Sequence, residues 1–136
     1  MEKEKWKGLI RNIPDFPKKG IVFRDITPLL GDGNAFLSVI NYLAKTCPAE
    51  TEMVAGIEAR GFIFAAAVAS RLGIGFVPIR KTGKLPHRTE AVTYALEYGT
   101  DTLEIHRDSL SKKKKVVLID DLLATGGTAA SAFRLL

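Results

Sequence analysis

The sequence predicts an α/β fold, with a mainly parallel sheet flanked by helices and an antiparallel ribbon or loop leaving it. Three observations carry that prediction. The apolar runs Met53–Ile57, Gly75–Ile79 and Val116–Ile119 have the length and β-branched content of buried strands. The first and third lead into turns that open helix-like stretches, the third through a small-residue loop. The order strand, helix, strand, ribbon, strand, helix is that of a largely parallel sheet joined by crossovers.

Taken along the chain, residues 4–12 read as a helix, with Trp6, Leu9, Ile10 and Ile13 near one face. Pro14–Gly20 breaks it. Ile21–Pro28 reads as extended, because Pro28 disfavours helix at Thr27. Asp32-Gly-Asn34 can cap a helix over 35–46, where Phe36, Val39, Ile40 and Leu43 have helical spacing. An Ala-rich helix follows over Gly61–Leu72, stopped by Gly73. Pro78 marks Gly75–Ile79 as an edge strand or a strand end. Lys81–His87 is a basic loop. Ala91–Leu96 and Thr102–His106 form either a two-stranded ribbon or parts of one mobile excursion. Residues 129–136 begin a helix that runs for about two turns.

With 136 residues the chain has enough length for a single domain, 1–136, with a real core. No run of about eighteen apolar residues suits a membrane span. The start, Met1-Glu-Lys-Glu-Lys-Trp-Lys7, is too charged for a signal peptide. The one cysteine, Cys47, has no partner for an internal disulfide and reads as semi-buried. A cytoplasmic location is expected. The formal charge of +5 suits an anionic ligand. Lys112–Lys115 has no interleaved aromatics and reads as a solvated loop rather than a nucleic-acid site. His87 and His106 stand far apart without metal-ligand spacing and are assigned to the surface.

The densest chemistry follows strand 116–119. Asp120 and Asp121 come at its C-terminal end, where open α/β sheets place their ligands. Ala124, Thr125, Gly126, Gly127 and Thr128 then make a small-residue loop at a helix start. Backbone N–H groups and the helix dipole converge there, so the loop is a phosphate cradle. Thr125 and Thr128 add hydroxyl donors. Adjacent carboxylates beside such a cradle suit a ligand with vicinal hydroxyls, such as a ribose phosphate. No Gly-Lys-Ser/Thr and no Gly-x-Gly-x-x-Gly accompanies this helix. A second strand-to-helix turn, Gly56–Phe62, puts Arg60 beside exposed amides, and a planar guanidinium fork suits pyrophosphate. Arg80, Lys81 and Lys84 bring three cations within five residues.

The run from Val116 to Thr128 resembles the signature of type I phosphoribosyltransferases, which bind 5-phosphoribosyl-1-pyrophosphate (PRPP). The resemblance implies that fold, with a mobile antiparallel ribbon. It implies 5′-phosphate binding by residues 124–128 and pyrophosphate binding by Ala59, Arg60, Lys81 and Lys84, with a strained backbone often found in the first of those loops. Asp120 and Asp121 are then expected to hold the ribose hydroxyls and favour an oxocarbenium-like transition state. Phe23-Arg-Asp-Ile-Thr27 resembles the element that marks the adenine-specific branch. By that likeness the backbone around Val22 and Arg24 reads the base edge and Phe23 packs on the ring. Ala95-Leu-Glu-Tyr-Gly99 resembles that branch's catalytic loop, with Glu97 as the acid–base group near N7 and Tyr98 shielding the site.

The implied reaction joins adenine to PRPP, giving AMP and pyrophosphate. Mg²⁺ is the implied cofactor, held mainly by substrate and water with no direct protein ligand. A homodimer is implied for the complete protein, without nucleic acid or membrane as partner. Family members continue past the helix at 129–136, so the chain is expected to be a C-terminally truncated form with reduced activity and stability. Three alternatives stand beside this reading: a phosphoribosyltransferase for another base such as xanthine or orotate, a PRPP-sensing regulator that binds nucleic acid, and a non-catalytic PRPP-binding form.

Overall fold

The computed structural model describes residues 2–96, 99–109, 114–121, 132, 135 and 136. The chain divides into two compact units, Met1–Lys45 and Thr46–Leu136.

In the first unit, helix α1 (Glu2–Gly8) is shorter than its apolar spacing predicts. Gly8 is a poor helix former, and Arg11–Ile13 finds a better partner as strand β1. It pairs antiparallel with β2 (Phe23–Asp25), placing Ile13 opposite Phe23. The intervening turn contains a cis Phe16–Pro17 peptide and positive φ angles at Asp15 and Gly20. The Asp15 carboxylate accepts the Gly20 N–H at 2.8 Å, which closes the turn. The extended stretch predicted for 21–28 ends early, because helix α2 (Thr27–Gly31) already begins at Thr27. Pro28 lies in its first turn, where a backbone donor is not needed. Asp25 supports this start by accepting the Thr27 N–H and hydroxyl at 2.9 and 2.7 Å. Asp32 caps α3 (Gly33–Thr46) as the sequence predicts, accepting the Ala35 N–H at 3.0 Å. Trp6 meets Tyr42 of α3 edge-on at 5.5 Å, and the Lys3 ammonium lies over the same Tyr42 ring.

The second unit is built on a five-stranded sheet. Its strands are β3 (Met53–Ile57), β4 (Gly75–Lys81), β5 (Thr89–Leu96), β6 (Gly99–His106) and β7 (Val116–Ile119), in the order β5-β6-β4-β3-β7. The three strands read as apolar runs are the parallel part, with β3 between β4 and β7. The β5–β6 ribbon adds antiparallel pairs, so the sheet is mixed. Residues 91–96 and 102–106 are therefore a hairpin, not an irregular excursion. Pro78 does not mark an edge strand, since β4 lies inside the sheet. It is tolerated because β6 pairs with β4 only beyond it, at Arg80 and Lys81.

Helix α4 (Arg60–Leu72) packs on the face that carries Gly56, where a Cβ would stand 2.6 Å from that of Ala65. Gly73 ends the helix in the left-handed region at φ 70°, as its position predicts. On the opposite face Ala55, Ile57, Val77, Ile79, Leu103 and Ile105 form a buried cluster with Ala132. Leu135 and Leu136 pack against that cluster. The alternation of strand side chains assigns neighbouring residues of β3 to opposite layers of the core. Of the predicted helix 129–136, only Ala132, Leu135 and Leu136 lie among the described residues, and the first two are helical. Cys47 is half-buried, and burial pushes its thiol pKa up.

Candidate active site

Parallel pairing of β3 with β7 puts Gly56 opposite Ile119. Both strands therefore deliver their following residues to the same end of the sheet, where α4 begins. Arg60 on that helix and Asp121 after β7 form an ion pair, with 2.7 Å between Nε and Oδ2. The helix N-cap is Ala59, which has no side-chain cap, and the Glu58–Ala59 peptide is cis. Gly61 is buried beneath Asp120. A Cβ there would lie 2.8 Å from Asp120 Oδ1 and 3.4 Å from the Ile119 carbonyl. Absence of a side chain at Gly61 is what lets the carboxylate pack on the helix start. Asp120 Oδ1 also accepts the Asp121 N–H at 2.8 Å. Asp120 as a whole is exposed, while its carboxyl is packed against Gly61. Desolvation of that carboxyl, reinforced by the Asp121 carboxylate, outweighs the Asp121 N–H and Arg60 and pushes its pKa up to about 6.

A second cluster lies at the adjoining ends of β3 and β4. Glu58 follows Ile57, which pairs with Ile79, and its N–H donates to the Ile79 carbonyl at 3.0 Å. Its carboxylate is reached from three sides. Arg80 Nε and the Lys81 N–H donate to Oε1 at 3.2 and 2.8 Å, and Lys84 Nζ to Oε2 at 3.2 Å. Burial by itself raises the Glu58 carboxyl pKa. The Lys81 N–H, the Lys84 ammonium and the Arg80 guanidinium more than offset this and hold it below its ordinary value. Lys81 Nζ pairs with Asp101 of β6 at 3.4 Å, and the Gly83 N–H donates to Glu104 at 2.9 Å.

The structure thus brings Ala59, Arg60, Asp120 and Asp121 to one end of the sheet and gathers Lys81 and Lys84 around Glu58. Val22, Phe23 and Arg24 belong to the first unit. There Phe23 meets Phe16 edge-on at 5.3 Å, Arg24 bonds to Asn12, and Val22 is exposed. Glu97, Tyr98, Ala124, Thr125, Gly126, Gly127 and Thr128 lie outside the described residues. Glu58 and Gly61 are absent from the sequence-based assignment. Glu58 was legible only as the residue before Ala59-Arg60. His87 is exposed, as assigned, and His106 is half-buried, but the two are close together in the fold. Their rings are 6.0 Å apart, and the His87 N–H donates to His106 Nε2 at 3.3 Å. Among the described residues no group of three or more His, Cys, Asp or Glu gathers for a metal. Asp120 and Asp121, the latter paired with Arg60, offer oxygen donors of the kind a hydrated Mg²⁺ accepts.

Comparison with known proteins agrees with this geometry. Residues 29–136 match the phosphoribosyl transferase domain. The chain is 59% identical over 131 residues to the adenine phosphoribosyltransferase of Methylobacterium sp. (strain 4-46), covering 96% of this chain and 72% of that protein. The crystal structure of the Thermoanaerobacter pseudethanolicus adenine phosphoribosyltransferase superposes with a TM-score of 0.93 at 55% identity, covering 97% of this chain and 77% of that one. The Saccharomyces cerevisiae enzyme, solved with adenine and an imino-altritol bisphosphate, gives a TM-score of 0.92 at 37% identity over 98% of this chain and 79% of that one. The chain belongs to the phosphoribosyl transferase domain family and, within it, to the adenine phosphoribosyltransferases.

Proposed function

We propose that the chain acts in adenine salvage, transferring the 5-phosphoribosyl group of PRPP to adenine and releasing AMP and pyrophosphate. The observation that carries this reading is the convergence of Asp120, Asp121 and Arg60 where β7 ends and α4 begins, directly before the Ala124–Thr128 loop. That juxtaposition supplies acceptors for vicinal hydroxyls beside a cationic fork for pyrophosphate.

In the proposed reaction, the bond from C1′ to pyrophosphate breaks as the bond from adenine N9 to C1′ forms. The base gives up one ring proton, taken near N7 by Glu97. Asp120 and Asp121 hold the ribose 2′- and 3′-hydroxyls and lend negative charge to the developing ribosyl cation. Arg60, the Ala59 backbone, Lys81 and Lys84 receive the leaving pyrophosphate. The loop 124–128 anchors the 5′-phosphate through backbone N–H groups. Val22, Phe23 and Arg24 read adenine, and Tyr98 excludes water that would hydrolyse the cation. Asp120 and Asp121 would help hold a hydrated Mg²⁺, which would supply positive charge against the leaving pyrophosphate. A homodimer and a cytoplasmic location complete the proposal. No helix among the described residues is long and apolar enough to cross a membrane.

The test is AMP formation from PRPP, Mg²⁺ and adenine, run beside hypoxanthine, guanine, xanthine and orotate. Adenine should be consumed and the others spared. Equal turnover of another base would reject the adenine assignment. PRPP binding without turnover of any base would leave a binding protein in its place.

A further inference from the structure

We propose that Glu58 is a positioning residue for the pyrophosphate half of the site, fixing Arg80, Lys81 and Lys84 against the Ala59–Arg60 turn and so setting the affinity for PRPP. This rests on the assignment of Lys81 and Lys84 to pyrophosphate. A carboxylate inside an anion site repels its ligand, so an acidic residue there needs a compensating role. Glu58 has one. Its side chain is only 10% exposed and meets donors from residues 80, 81 and 84 at 2.8–3.2 Å. One carboxylate thereby anchors the end of β4 and the loop beyond it, which turns at Gly83 with φ 82°.

Strand pairing makes the anchor rigid. The Glu58 N–H is bonded to the Ile79 carbonyl, so its side chain projects from backbone already tied to β4. Glu58 is also joined directly to Ala59, the N-cap of the helix that carries Arg60. The two pyrophosphate-binding segments are therefore set in mutual register by one residue. Long, flexible Lys side chains lose freedom when they close on a ligand. Holding them beforehand reduces that loss. Lys84 approaches Glu58 through its ammonium and Lys81 through its amide, leaving the Lys81 ammonium to Asp101. Pyrophosphate would exchange ammonium contacts while the amide anchor stays in place.

The experiment compares wild type, Glu58→Gln and Glu58→Asp. Amide hydrogen exchange at Lys81 and Gly83 is measured without ligand, and PRPP binding with Mg²⁺ is measured by calorimetry. Initial rates then separate KM from kcat. Glu58→Gln should weaken PRPP binding and raise its KM roughly tenfold, as expected for loss of charge-assisted hydrogen bonds. It should also speed exchange at Lys81, while kcat and the adenine KM stay within about twofold. Glu58→Asp keeps the charge, should recover part of the affinity, and serves if the Gln variant fails to fold. Unchanged PRPP affinity and unchanged Lys81 exchange in Glu58→Gln overturn the proposal. Tighter PRPP binding also overturns it, because the carboxylate would then be a competitor. A wild-type chain that binds no PRPP overturns the pyrophosphate assignment and this proposal together. Normal wild-type binding with an unaffected variant overturns this proposal alone.

Discussion

Glu58 and Asp120 are carboxylates following neighbouring parallel strands, yet their electrostatics are opposite. Glu58 faces Arg80, Lys84 and the Lys81 N–H, and its pKa is lowered. Asp120 faces Asp121 and the helix start at Gly61, and its pKa is raised to about 6. Burial acts the same way on both, disfavouring charge. What differs is the balance: donors outweigh burial at Glu58, whereas at Asp120 the Asp121 N–H and Arg60 do not offset burial and the Asp121 carboxylate. The first arrangement spends a negative charge on order. The second holds a destabilised charge where a cation is proposed to develop.

The largest effect expected from breaking this contrast is on turnover at the Asp120–Asp121 end. Asp120→Asn or Asp121→Asn should lower kcat/KM on the order of 10²–10³-fold, comparable to losing one preorganised electrostatic contact to a transition state. Asp120→Asn should not lower the melting temperature at pH 8, because it removes a carboxylate that is both desolvated and repelled. Unchanged turnover in both variants would reject their role.

The raised Asp120 pKa also fixes a sign. Between the ordinary value of 3.8 and about 6, the folded chain holds a proton that the unfolded chain has released. This group's contribution to stability is therefore greatest below about pH 4 and falls as pH rises through 6. Activity should run the other way, since the ionised form is the one proposed to act. We expect kcat/KM to decline below about pH 6, and the residual activity of Asp120→Asn to lack that acid limb. An identical acid limb in the variant would assign it to another group.

Gly61→Ala should have an intermediate effect. The new methyl would meet Asp120 Oδ1 at 2.8 Å, and a carboxylate can swing away more easily than backbone can move. Stability should therefore fall by only about 1 kcal/mol. Activity should fall roughly tenfold or more, because displacement of a reacting group by about 1 Å is expensive in rate. Parallel measurement of melting temperature and kcat/KM tests the separation. A large stability loss with normal activity would show that Gly61 serves packing alone.

How legible each part was depended on how local its cause is. Strands β3 and β7 could be read because both are continuous apolar runs, and α4 because Gly73 stops it by a local rule. Asp120, Asp121 and Arg60 could be read because each stands beside a strand-to-helix turn. Strand β1 could not: Arg11–Ile13 is extended only through its partner Phe23–Asp25, a dozen residues on. Glu58 gives no local signal either. Its donors come from residues 80–84, and only the register of Ile57 with Ile79 brings them near. The meeting of His87 with His106 likewise follows from the β5–β6 register, which pairs Thr89 with His106.

The smallest expected effect comes from the other acidic partner of the basic loop. Asp101 binds the Lys81 ammonium at 3.4 Å, with the Lys81 side chain 56% exposed. Glu58, only 10% exposed, binds three donors, including a backbone amide that side-chain motion cannot remove. Exposed ion pairs are weakened by water and by the entropy of holding a long side chain. Asp101→Asn should therefore change stability by less than about 0.5 kcal/mol. Its Oδ1 also accepts the Thr102 N–H at 2.9 Å, a contact that the Asn amide oxygen can keep. The substitution removes a competing negative charge from Lys81, so PRPP should bind equally well or up to about threefold more tightly at low salt, with the gain fading as ionic strength rises. The expected opposition of Asp101→Asn to Glu58→Gln follows from geometry, since one carboxylate restrains a side chain and the other restrains the backbone that carries it. Calorimetry with PRPP and Mg²⁺ at two salt concentrations measures the difference. A tenfold loss in Asp101→Asn would mean that the ammonium contact, rather than the backbone amide anchor, positions the loop.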